Sequence, residues 1–171
     1  MHVSEPDDAT TPEVAALLDE IYSGYLRGDT TVIDAWLSPA ITMFDSAAPD
    51  LVAGPVGLER LRAGRAASEQ PASTHDAPAV SPPELSDRFV ETALTVEHLT
   101  IRTIDEVVIA TWWLRVDGVD GSGAPAIPEL SRNSAVLVRA RDGLRIEHLH
   151  EDVWQPLGGP VAARSPEHQT R

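Results

Sequence analysis

LRIEHLHEDVW, residues 144–154, is the stretch that decides the fold of this chain. Side chains on a β-strand point alternately to the two faces of a sheet, so every second residue shares a face. In a regular strand one face therefore carries Leu144, Ile146, His148, His150, Asp152 and Trp154. This face begins apolar and ends in titratable groups. It predicts a curved sheet, sealed at one end and open at the other, with imidazoles and acids bordering a pocket.

The composition limits both the architecture and the partners. A chain of 171 residues, 42% of them hydrophobic, is long enough for one domain with a proper core. Its formal net charge of −14 repels phosphate groups, so neither nucleic acid nor an anionic membrane is an expected partner. All 13 basic residues are arginines, which excludes Schiff-base chemistry on lysine. The absence of cysteine excludes disulfides and thiolate nucleophiles.

The ends of the chain are predicted to be unstructured, and the protein is predicted to be cytoplasmic. Residues 1–11 are acidic and polar, which favours disorder and argues against a secretory signal. Nothing in the sequence approaches the roughly 20 consecutive apolar residues that span a bilayer. We therefore expect one domain over residues 12–155, followed by a flexible tail over residues 156–171.

Apolar spacing predicts three helices in the first half of the domain. They lie at residues 12–27, 30–37 and 56–67. The first presents one apolar stripe and is stopped by Gly28, and Asp29 or Thr30 caps the second. Residues 68–87 are rich in proline, alanine and serine. A loop of that length in a compact domain is typical of either a lid or a disordered insertion.

The second half predicts four long strands after a short strand at residues 40–45. The long strands lie at residues 89–104, 107–116, 131–141 and 144–154. The last two form a hairpin around Asp142-Gly143, a strong turn signal. Three helices followed by a strand meander indicate an α+β fold, with the helices packed into the concave face of one strongly bent antiparallel sheet. Because residues 107–116 are apolar on both faces, we expect a homodimer through the convex face.

Three motifs in this order resemble the NTF2-like superfamily, in its SnoaL-like branch. They are Arg27-Gly28-Asp29, the strand and loop from Phe44-Asp45 to Gly54, and the ending from Arg132 to His150. The resemblance covers residues 12–154, and the chain departs from it at Leu144 and Asp152. It implies a cone-shaped fold that encloses a cavity, usually in a dimer. It implies no single function, because the fold hosts isomerases, dehydratases, cyclases, epoxide hydrolases and non-catalytic modules.

Asp45 is the leading catalytic candidate. It lies sixteen residues after Asp29 and nine before Gly54, in register with the catalytic aspartate of similar ketosteroid isomerases. A carboxylate at the rim of an apolar cavity can act as a general base. The alternative is an aspartate that ends a strand and accepts hydrogen bonds from its own loop.

A true ketosteroid isomerase is not expected, because its two oxyanion donors are missing from their positions. The phenol position falls on Ile21, and the acid position falls near Ala135 or Val136. Tyr22 and Tyr25 remain candidate donors, since three residues apart on a helix they share one face. Alternatively, they are core aromatics whose hydroxyls reach solvent.

His148, His150 and Asp152 are the next catalytic candidates. Asp152 could orient His150 while one histidine moves a proton, and SnoaL-like cyclases resemble this in using acids and histidines of the sheet. A hydrogen-bonded structural wall is an equal alternative. A zinc or iron site built from the three residues is a third interpretation.

Six further residues are predicted to bind a ligand or wall the cavity. They are Tyr25, Trp36, His98, Trp113, Arg115 and Arg132. An arginine in such a cavity would bind a carboxylate or enolate oxygen. The alternative is that the arginines lie on solvated surface and the tryptophans build core or dimer interface.

These observations together favour an acid–base enzyme without a cofactor. It would act on a small apolar molecule as a cyclase, isomerase, dehydratase or epoxide hydrolase, and the resemblance alone suggests polyketide-type specialised metabolism. The first alternative is a non-catalytic small-molecule-binding or dimerisation module. The second is a metal-dependent enzyme that uses His148, His150 and Asp152. No phosphate-binding loop or nucleophile elbow is present in the sequence.

Overall fold

The apolar stripe near the N-terminus forms the first helix of a computed structural model that describes residues 10–69 and 89–159. The helices are α1 (Thr10–Leu26), α2 (Thr30–Trp36) and α3 (Gly54–Glu69). Asp29 caps α2 by accepting hydrogen bonds from the backbone N–H groups of Thr31 and Val32. The three predicted helices are confirmed, and α1 and α3 are each slightly longer than predicted.

The strands form one six-stranded sheet, in the spatial order β2-β1-β6-β5-β4-β3, and β1 and β2 precede α3 in the chain. The strands are β1 (Leu37–Phe44), β2 (Val52–Ala53), β3 (Val90–Ile104), β4 (Val107–Val119), β5 (Glu129–Ala140) and β6 (Gly143–Gln155). The predicted α+β class is confirmed. The sheet is mixed rather than purely antiparallel, however, because β1 pairs with β6 in parallel. The short strand β2, which pairs with β1, is not predicted by the sequence.

The inner face of the sheet is defined by the alternation along β4. Its buried side chains are Val108, Ala110, Trp112, Leu114 and Val116. They pack with Val14, Leu17 and Leu18 of α1 in one hydrophobic core. Burial of one such large apolar side chain stabilises the fold by about 1.5–3 kcal/mol. The concave side of the sheet is therefore filled by core at its centre.

A β-bulge in β6 overturns the face assignment predicted for residues 144–154. Leu137 pairs with Ile146, but Val136 pairs with His148, so one extra residue, Glu147, interrupts the alternation. Side chains beyond the bulge exchange faces relative to a regular strand. Leu149, opposite buried Ala135, lies on the inner face with Glu151 and Val153. His148, His150 and Asp152 lie on the opposite, outer face of the sheet.

The predicted boundaries differ from the structure in small ways. Thr10 and Thr11 belong to α1 rather than to an unstructured N-terminus. The turn of the last hairpin is Arg141-Asp142, one residue earlier than predicted, and Gly143 begins β6 with a positive φ of 127°. The predicted loop or lid at residues 68–87 falls largely outside the described residues, as do residues 1–9 and 160–171. None of the helices in the described part is long and apolar enough to cross a membrane.

Candidate functional site

Four polar side chains form a row across the inner face of the sheet, which we call the polar row: Asp45, Glu151, Asn133 and Trp112. Trp112 pairs with Asn133, and Asn133 pairs with Glu151. Asp45 follows directly after β1, whose last residue Phe44 pairs with His150. Asp45 and Glu151 are thus brought side by side at one end of the core.

The Asp45 carboxylate is buried, and each of its oxygens accepts a hydrogen bond. Its side chain is only 6% exposed. The Arg65 guanidinium of α3 donates to Oδ2 at 2.6 Å, and the backbone N–H of Ala47 donates to Oδ1 at 2.8 Å. Burial works against the charged form of Arg65, but the Asp45 carboxylate outweighs it and raises the arginine pKa. Asp45 therefore has both predicted features, a position on the concave side and a hydrogen bond to its own loop.

Glu151 is a site residue that the sequence prediction missed. The Ser46 hydroxyl donates to its Oε1 at 3.0 Å. Burial raises the pKa of Glu151, and the negative charge of Asp45 raises it further. The sequence does hold a signal for this placement. The aliphatic residues lie at positions 144 and 146 before Glu147 but at 149 and 153 after it, and such a change of phase indicates a bulge between them.

Tyr22 of α1 covers the far end of the polar row. Its hydroxyl oxygen accepts a hydrogen bond from Trp112 Nε1 at 2.9 Å. Burial raises the pKa of the phenol, which therefore stays protonated and can still donate its own O–H. A cleft of about 630 Å³ between α1 and β3 reaches Tyr22. Tyr22 thus has the chemistry expected of an oxyanion donor, and that role remains a prediction.

The end of the polar row around Glu151 is acidic. Burial raises the pKa of Tyr25 to about 12, and the neighbouring Glu91 adds to the shift. Burial also raises the pKa of Glu129, with a further contribution from Glu151. The Arg65 guanidinium acts in the opposite direction and lowers the pKa of Tyr25, Glu129 and Glu151, without cancelling the rise. This end of the site therefore disfavours an anionic ligand.

The three residues predicted to form a proton relay face outward. His148 Nδ1 lies 2.8 Å from the Thr42 hydroxyl, and the Phe44 ring meets His148 and His150 edge-on, with centroids 6.0 and 5.9 Å apart. Asp152 is ion-paired with Arg132. The prediction that these side chains border the concave pocket is wrong, because the bulge at Glu147 turns them away. No group of three metal-ligating side chains that could hold an ion occurs within the described residues.

Most of the predicted ligand-binding residues also lie elsewhere. Trp113 pairs with Arg132 and with Glu97 on the outer face, and Arg115 bonds Asp117 of its own strand. His98 occupies a bulge in β3 and lines a groove of about 550 Å³ on the outer face, and the predicted site residues Trp113, Arg132, His150 and Asp152 line the same groove. These placements contradict the predicted positions in the cavity wall, since alternate residues of β4 and β5 face away from the core.

Trp36 is likewise outside the site. It lies at the end of α2, directly before β1, whereas Asp45 directly follows β1. Its indole Nε1 donates to Glu20 of α1 at 3.0 Å. Trp36 therefore ties α2 to α1 at the opposite end of the strand from Asp45.

Comparison with known proteins identifies the fold. No family model and no curated protein matches the sequence. The CaMKII hub homology domain of Chlamydomonas reinhardtii is 17% identical, with a TM-score of 0.59 over 84% of this chain and 98% of that one. An NTF2-like protein of unknown function from Pseudomonas putida is 15% identical, with a TM-score of 0.59 over 89% and 92%.

A third solved structure is similar over a comparable part of the chain. A putative ketosteroid isomerase from Shewanella frigidimarina is 13% identical, with a TM-score of 0.54 over 80% of this chain and 92% of that one. Likeness at such low identity shows architecture and not activity. The chain has the NTF2-like fold, as the sequence resemblance predicted.

Proposed function

We propose that this protein is a general acid–base enzyme that acts on a small, largely apolar molecule. The observation that carries the proposal is the pairing of two carboxyl groups in different surroundings. Asp45 is ion-paired with Arg65, whereas burial and the Asp45 charge raise the pKa of the adjacent Glu151. Neighbouring acids whose environments differ in this way are a common arrangement for a base and an acid in one site.

In the proposed reaction Asp45 accepts a proton from a C–H or O–H group of the substrate. Negative charge then develops on a substrate oxygen, and Glu151 or the Tyr22 phenol donates a proton or a hydrogen bond to that oxygen. Arg65 must move from Asp45 for the base to act. Its side chain is 35% exposed, so it has room to turn towards the developing oxyanion or solvent.

The class of reaction follows from these groups and from the fold. Proton removal and return support isomerisation, cyclisation, dehydration or epoxide opening. The putative ketosteroid isomerase among the similar structures supports an isomerase-type reaction, and the SnoaL-like resemblance suggests polyketide-type substrates. His148, His150 and Asp152 have no part in this mechanism, because they lie on the outer face.

Hydrogen–deuterium exchange of a small ketone tests the proposal without knowledge of the natural substrate. We expect the protein to accelerate exchange of the acidic C–H protons of 2-tetralone in D2O, measured by proton NMR against a buffer blank. Asp45→Asn should abolish the acceleration, and Glu151→Gln should reduce it. Asp105→Asn, at an exposed aspartate in the turn between β3 and β4, is the matched control and should keep the full rate. An Asp45→Asn variant with the full rate, or wild-type protein without acceleration, would contradict the proposal.

A second candidate function is dimerisation through the outer face, which the non-catalytic alternative also requires. Phe44 and Trp154 are 49% and 46% exposed there. The charges nearby are balanced within the chain by the Arg132–Asp152 and Arg115–Asp117 pairs. Exposed aromatics on a locally neutral face favour contact with a second copy of an otherwise acidic chain. We therefore propose a homodimer that buries this face.

Sedimentation analysis of two charge insertions checks the dimer. Trp154→Glu places a charge in the proposed interface and should convert a wild-type dimer to a monomer. Val56→Glu places the same charge on α3, where Val56 is 60% exposed, and should leave the dimer intact. A wild-type monomer, or a Trp154→Glu dimer of unchanged affinity, would refute the interface.

A further inference from the structure

A groove of about 630 Å³ runs between α3 and residues 47–52, on the far side of Arg65 from the polar row. We call it the α3 groove. Its walls are mainly apolar, formed by Ala48, Pro49, Leu51 and Leu61, and its charged lining residues are Arg60, Arg65 and Asp50. Gly57 lets α3 approach β2 closely, since a Cβ there would lie 3.1 Å from Val52. The groove thus combines an apolar body with two guanidinium groups.

The arginines of α3 differ in their partners. Arg62 is bound through both terminal nitrogens to Asp34, at 3.1 and 2.5 Å, and does not line the groove. Arg60 has no ion-pair partner among residues 10–69 and 89–159. Within the same residues Asp50 forms no ion pair either, so it neutralises neither groove arginine directly. Arg60 is therefore available to an anion.

Arg65 joins the groove to the candidate active site. It lines the groove and at the same time donates to Asp45 at 2.6 Å. A second anion in the groove would compete with Asp45 for this guanidinium. The acidic groups around Glu151, which include Glu91 and Glu129, oppose the approach of an anion from that side. The groove is the side from which an anion can reach Arg65.

We propose that the α3 groove binds the carboxylate of a small organic acid with an apolar body. Guanidinium groups recognise carboxylates through paired, charge-assisted hydrogen bonds, and the alanine, proline and leucine walls bury the apolar part. Occupancy draws Arg65 away from Asp45 and frees that carboxylate to act as a base. The binding stands on the groove alone, whereas this coupling to Asp45 rests on the proposed function.

Calorimetric titration with 4-phenylbutyrate tests the binding, with uncharged 4-phenylbutanamide as the matched ligand. We expect saturable binding of the acid and about tenfold weaker binding of the amide, as the loss of one charged hydrogen-bonded contact implies. Arg60→Gln should weaken binding of the acid several-fold. Arg62→Gln removes the same charge from the same helix outside the groove and should leave the affinity unchanged. Equal affinity for acid and amide, no saturable binding, or equal losses in both variants would overturn the proposal.

The coupling has a separate readout. Side-chain 13C NMR of the wild-type protein should show the Asp45 carboxyl resonance shifting as 4-phenylbutyrate saturates, and this shift should require the acid rather than the amide. An unchanged resonance at saturation would overturn the coupling while leaving the binding site in place. If 2-tetralone exchange fails but the acid binds, the proposed reaction is wrong and the carboxylate site stands.

Discussion

The two faces of β6 beyond Glu147 carry similar residue types in opposite settings. On the outer face, the exposed Phe44 ring contacts His148 and His150, and Asp152 forms a surface ion pair with Arg132. On the inner face, Glu151 lies beside a buried, ion-paired aspartate. One inserted residue therefore decides which titratable groups lie against the core, and thus which groups can have a shifted pKa.

The largest difference in stability is expected between two single-residue deletions in β6. Removal of Glu147 takes out the extra residue of the bulge and leaves the inner residues Ile146 and Leu149 on their face. Removal of Leu149 instead shifts every later residue to the opposite face and buries His150 in place of Leu149. We expect the first variant to fold with a lowered melting temperature and the second to be unfolded, as measured by circular dichroism. Two variants of equal stability would contradict the assigned faces.

Replacing an aspartate by asparagine should lower the free energy of unfolding more on the inner face than on the outer face. Asp45→Asn leaves Arg65 without its carboxylate, and we expect a loss of about 1–3 kcal/mol in the free energy of unfolding. The value stays below that of a fully buried pair because Arg65 is partly exposed and screened by solvent. Asp152→Asn breaks a pair whose side chains are about half exposed, and should cost about 0–1 kcal/mol. Urea unfolding of both variants measures the difference, and a larger loss in Asp152→Asn would reverse the account.

The raised pKa of Glu151 should have a smaller effect, which appears in the pH dependence of stability. The pKa of Glu151 is raised in the folded state, so between the ordinary glutamate pKa of 4.5 and the folded pKa the folded chain binds more protons than the unfolded chain. Ionisation of Glu151 therefore lowers stability as the pH rises through its folded pKa. Glu151→Gln should be more stable than wild type at neutral pH, and this advantage should vanish below the unfolded pKa.

Glu59→Gln is the control for this effect, since Glu59 is exposed on α3 and the substitution removes the same charge. Thermal unfolding of the three proteins from pH 4 to pH 8 provides the measurement. An equal gain in Glu59→Gln would mean that relief of the overall negative charge, rather than the site, explains the result.

Much of the fold could be predicted from local patterns. The spacing of Val14, Leu17 and Leu18 predicts α1, and the alternation along β4 predicts a strand with one core face. The parallel pairing of β1 with β6 could not be predicted in this way, because it joins residues about a hundred positions apart. Long-range pairing leaves no periodic trace in either segment.

The candidate site was predicted less completely than the fold. Asp45 is predicted by its register with similar ketosteroid isomerases and Tyr22 by the apolar stripe of α1. Both lie on the inner side of the sheet, and their catalytic roles stay predictions. Strict alternation does not place Glu151 on the inner face, because the bulge at Glu147 changes the phase of the strand. Arg65 was missed because an arginine on a polar helix carries no local sign of a partner twenty residues earlier.

The most direct test of the central claim is a 13C NMR titration of the Glu151 carboxyl group in the wild-type and Asp45→Asn proteins. We expect the pKa of Glu151 to lie above 4.5 in the wild type, because of burial first and the Asp45 charge second, and to fall when Asp45 is replaced. Titration at the ordinary glutamate value in both proteins would contradict the claim that Asp45 and Glu151 form a coupled acid pair on the inner face.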